Sequence, residues 1–145
     1  MVLQRWQSVW LLVSAICVAL FCFLPVASIA FEEPAAAAGS FTAITPTDNW
    51  AVLTVGILVV VLLLVSIFSF RDTRRQKMMT IVSILLMCVL AVCASLMVYN
   101  TLAPGVSAEP LGSSLLLLGA IIFAILAYRG IRHDEKLLRA ADRLR

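Results

Sequence analysis

Residues 50–77 read WAVLTVGILVVVLLLVSIFSFRDTRRQK, and the fold turns on how they are read. From Trp50 to Phe70 no side chain is charged. At about 1.5 Å of rise per residue, a helix over this stretch reaches roughly 32 Å, enough to cross a hydrocarbon core of about 30 Å. Arg71, Arg74, Arg75 and Lys77 follow at once. A long apolar run closed by clustered cations is the signature of a membrane-spanning helix that ends on the cytoplasmic side.

The same pattern recurs on either side. Apolar runs cover residues 9–31, 78–99 and 111–128, and with 50–70 they make four spans, none containing Asp, Glu, Lys, Arg or His. Hydrophobic residues are 63% of the chain and charged residues 13%, against roughly 45–50% and about 25% in soluble domains. The expected fold class is therefore all-α: an integral membrane four-helix bundle, forming one domain over residues 1–145, with a cytoplasmic C-terminal helical extension over 129–145. Ser28-Ile29-Ala30 has the small-x-small form of a signal-peptidase site. The apolar stretch before it is longer than a usual signal core and only Arg5 precedes it, so the segment is read as a retained helix.

Charge sets the expected orientation. With four spans, all 11 Lys and Arg residues fall on one side, at Arg5, in the 71–77 connection and after Tyr128. The opposite side carries only Glu32, Glu33, Asp48 and Glu109. Subtracting Asp72, Asp134, Glu135 and Asp142 leaves +7 on the basic side and −4 on the other, which make up the +3 of the chain. Both termini and the middle connection are thus expected in the cytoplasm. Residues 32–49 read as an outer loop with little structure, in which Asp48 would cap the second helix. Pro110 would open the fourth helix, and Pro25 would kink the first.

The residue types that carry chemistry are not grouped for it. His133 lies in the tail, away from any span that could hold haem, and with Asp134 and Glu135 it reads as surface charge, because catalysis needs a pocket and an orienting shell. Cys17 and Cys22, like Cys88 and Cys93, are five residues apart, about 500° around a helix, so the members of each pair do not share a face. They are expected to pack as small hydrophobes, not to bind metal. No catalytic, cofactor or metal residue is expected, and no nucleic-acid binding, since no aromatics interleave with the cations. Small residues at helical spacing, including Ala15, Ala120 and Ala124, read as close-packing sites within the bundle.

Three stretches carry a resemblance: MVLQRWQSVWLLVSA at the start, IFSFRDTRRQK after the second span, and the ending AYRGIRHDEKLLRAADRLR. Together they resemble a bacterial family of uncharacterised four-span membrane proteins, classified as a domain of unknown function. Its specific part is the ending, with Ile131, Arg132, Asp134, Glu135, Lys136, Leu137, Arg139, Ala141, Asp142, Arg143, Leu144 and Arg145, joined by Gln4 and Arg5 at the front. The resemblance implies an inner-membrane location and an uncleaved first helix, and no reaction; His133 stands where it implies Lys or Arg.

The functional expectation is a non-enzymatic interaction or scaffold component. Its candidate surface is Arg71, Arg74, Arg75, Lys77, Arg132, Asp134, Glu135, Lys136, Arg139, Asp142, Arg143 and Arg145. Expected partners are the bilayer, anionic lipid headgroups, and a protein or a second copy of the chain. The alternative is a subunit of an oligomeric channel or transporter, which would gather the span hydroxyls on one line.

Overall fold

The computed structural model describes residues 2–30, 41–69, 72–102, 108–110 and 112–142. Four helices dominate: α1 (Val2–Phe23), α2 (Trp50–Phe68), α3 (Thr73–Thr101) and α4 (Ser113–Asp142). Each is long and apolar enough to cross a membrane. Around the ring the order is α4, α1, α2, α3, with α1 against α4 the most extensive contact. The protein is an all-α, multi-pass membrane bundle.

One stripe of each helix turns inward at steps of three or four residues. Leu11, Ala15 and Val18 of α1, Val52, Val59 and Leu63 of α2, and Met87, Leu90 and Ala94 of α3 belong to the buried core. On α4 the stripe is Ala120, Ala124, Ala127 and Ile131, all fully buried. Its small side chains let α1 approach closely, and Ser14 Oγ donates to Ala120 O at 2.8 Å. The outward faces are as apolar as the core, with Ile57 at 54%, Leu85 at 61% and Ile122 at 57% exposure. A belt of that kind is costly in water and neutral against lipid tails.

The ends depart from the expectations. Helix α1 stops at Phe23 instead of kinking, because Pro25 cannot donate a helical hydrogen bond and disfavours helix in the residue before it. Beyond it, β1 (Ala27–Ala30) lies between β2 (Phe41–Ile44) and β3 (Ala108–Pro110) in an antiparallel sheet, with Ala27 opposite both Ile44 and Pro110. Part of the expected outer loop is therefore strand, and Pro110 ends an edge strand instead of opening α4, a position where a missing amide is tolerated. Strands this short hold poorly alone. These are fixed by burial of Ala27 and Ile44 in the bundle core and by Ser113 Oγ donating to Pro25 O at 2.5 Å. Asn49, not Asp48, caps α2, its side chain accepting from Ala51 N at 3.0 Å. Asp48 accepts instead from Thr45, at 3.1 Å from the amide and 2.6 Å from the hydroxyl, and those bonds hold its carboxyl below the usual range.

Candidate functional site: the basic end of the bundle

The cations expected in the middle connection are largely helical. Helix α3 begins at Thr73, so Arg74, Arg75 and Lys77 sit on its first turns. No proline or glycine stops the helix from running past the apolar segment. Helix α4 likewise continues without a break through Gly130 to Asp142, 30 residues or about 45 Å, well beyond what a bilayer core needs.

This extension is clamped to the bundle at two points. Gln7 of α1 is buried, and its Nε2 donates to Asp134 Oδ2. Gly130 makes room for that contact: a Cβ there would come 2.9 Å from Gln7 Cγ. One turn below Glu135, Ile131 is fully buried, and Trp10 stacks on Phe123 with ring centroids 5.5 Å apart. Toward α3, Lys77 Nζ meets Glu135 Oε2 at 3.0 Å, with the two side chains 28% and 22% exposed. Arg139 donates to the other carboxylate oxygen at 2.5 Å. The Lys77 hydrogen bond, helped by the charges of Lys77 and Arg139, holds the Glu135 carboxyl below the ordinary range. Beneath Lys77, Ser66 and Thr80 share a hydrogen bond of 3.1 Å that ties α2 to α3, and Thr80 also donates to Gln76 O within α3 at 2.8 Å.

Lys77, Arg132, Glu135, Lys136 and Arg139 line a polar pocket of about 200 Å³. The structure thus brings five of the expected surface residues to one place. It does not bring in Asp134, which turns to α1, nor Arg74 and Arg75, which are exposed; Arg75 pairs locally with Asp72 at 3.4 Å. Arg71, Arg143 and Arg145 lie outside the described residues, as does the side chain of Asp142. Gln7 and Gly130 were missed by sequence reasoning, although Gln7 falls on the same face as Leu11, Ser14 and Val18 and so carried a burial signal. His133 is exposed. Among the described residues no three His, Cys, Asp or Glu side chains converge on one point, and Cys22 packs against Gly56.

At the opposite end, an apolar cavity of about 530 Å³ opens between α3 and α4 over Phe21, lined by residues such as Ala94, Val98, Leu117 and Ile121. It offers hydroxyls but no titratable group, whereas the charged pocket concentrates the chemistry of the described residues.

No curated protein and no solved structure matches the chain. A family model does match, over residues 3–144, spanning all four helices and the clamped extension. The chain belongs to the family described as Domain of unknown function (DUF4293).

Proposed function

We propose that the protein is a non-enzymatic interaction or scaffold component of a bacterial inner membrane, with both termini in the cytoplasm and the basic end of the bundle as its contact surface. The supporting observation is the double clamp on α4. Gln7 with Asp134, and Lys77 with Glu135, hold a charged helix rigidly past the apolar zone. Topogenesis alone needs a few cations near span ends and no such fixation. A surface whose side chains are already positioned loses less entropy on binding.

The span hydroxyls favour a passive bundle over a pore. Ser14, Ser66, Thr80 and Ser83 are buried on three different helices and bond within the protein. Thr54 and Ser95 face outward and bond back to their own helices.

Crosslinking in intact membranes tests the reading. Full-length protein should capture partners that are lost when residues 134–145 are deleted, and also when Arg132 and Lys136 are both changed to Gln in the full chain. The same captured set in all three samples would remove the proposal.

A further inference from the structure

Four cations and one carboxylate line the pocket at the basic end, an excess of three positive charges in about 200 Å³. Arg132, Glu135, Lys136 and Arg139 are spaced so that they share one face of α4, and Lys77 reaches that face from α3. Glu135 is occupied by Lys77 and Arg139. Arg132 and Lys136 are exposed and make no hydrogen bond or ion pair among the described residues. The carboxylate therefore serves to converge two cations, and two more stand beside them with donors to spare.

A planar guanidinium with mobile ammonium groups around it is the chemistry that recognises a phosphate oxygen cluster. Depth supplies the rest. Lys77 immediately precedes Met78, where the apolar run of α3 begins, and Arg132 lies about 6 Å along the helix past Tyr128. With the hydrocarbon edge taken at the ends of the apolar runs, both would fall in the headgroup layer, which adds roughly 5–7 Å on each side of the hydrocarbon core. Arg139, about 10 Å further along the axis, reaches toward water.

We propose that the pocket formed by Lys77, Arg132, Lys136 and Arg139 around Glu135 binds a phosphate group, and that its ligand is the headgroup of an anionic phospholipid. Basic pockets between membrane helices take anionic headgroups by this chemistry. The proposal deepens, and rests on, the reading of the basic end as a contact surface.

The test is lipid binding to full-length protein in detergent, followed by native mass spectrometry with phosphatidylglycerol and phosphatidylcholine of identical acyl chains. The R132Q/K136Q protein is compared with R74Q/R129Q, which removes the same charge from exposed positions outside the pocket. Phosphatidylglycerol should bind more tightly than phosphatidylcholine, and R132Q/K136Q should weaken it roughly tenfold or more while R74Q/R129Q changes it little. Equal binding of the two lipids, or equal losses in the two variants, would overturn the site. If millimolar inorganic phosphate displaces the lipid, the phosphate chemistry stands and the lipid as its source is overturned. A crosslinker at position 136 that captures an acidic protein and no lipid would overturn the assignment in favour of a peptide. Tail-dependent protein partners captured alongside failed lipid binding would leave the broader reading in place, so the two can fail separately.

Discussion

Single residues carry the tightest constraints. Gly56 faces Cys22, and a Cβ at position 56 would lie 2.4 Å from its Sγ. Gly56→Ala should lower the thermal midpoint in detergent by overpacking worth roughly 1–3 kcal/mol. Adding Cys22→Ala should restore most of the loss, and a Gly56→Ala protein as stable as wild type would show that this contact is not made. Glu135 makes a pH-dependent contribution. Its carboxyl is held down by Lys77 and Arg139, so the folded state favours the charged form. That stabilisation is complete above the unfolded pKa, about 4.3, and disappears as pH falls through the lower folded value. Wild type should therefore melt above Glu135→Gln at neutral pH, and the gap should close in acid below about pH 4.3. A gap independent of pH would mean that packing, not charge, distinguishes the two proteins.

Among the elements, the sequence made the existence of the helices clear and their ends much less so. Hydrophobic length alone located the four spans, because only helices satisfy their own backbone groups within lipid. The boundaries were set by local partners that no periodicity reveals: Asn49 displaced Asp48 as cap, and pairing with β1 drew Pro110 into a strand. Helix α2 is joined to α3 through Ser66 and Thr80. A double-mutant cycle with Ser66→Ala and Thr80→Val should give a coupling of about 0.6 kcal/mol, the typical worth of such bonds between membrane helices; additive effects would show that the hydroxyls do not interact. The α4 extension depends on its clamp. Lys77→Gln should speed amide exchange over residues 132–142 by a few-fold and leave residues 117–127 unaffected. Unchanged exchange would mean that Gln7 and Ile131 hold the extension without Lys77.

For the molecule as a whole, the prediction is its placement. The structure collects the described Lys and Arg residues at one end and the sheet at the other. If those cations stayed behind during insertion, a single cysteine at position 75, in a chain whose native cysteines are replaced by Ala, should resist impermeant maleimides in intact cells and react after permeabilisation. A cysteine at position 47 should react in both. Labelling of position 75 from outside would reverse the topology and with it the proposed contact surface. The site itself was half legible. Lys77, Arg132, Glu135, Lys136 and Arg139 stood in the expected surface as unconnected charges, and the convergence of α3 on α4 joined them.

What the sequence determined by itself was the number of spans and the grouping of charge, since both follow from transfer energies that add residue by residue and need no neighbour in space. Only the tertiary structure decided that Glu135 meets Lys77, that Gln7 seats on Gly130 beside Asp134, and that the chain after Pro25 forms a sheet. Those contacts join residues 58 and 127 positions apart, and their register depends on how four helices pack.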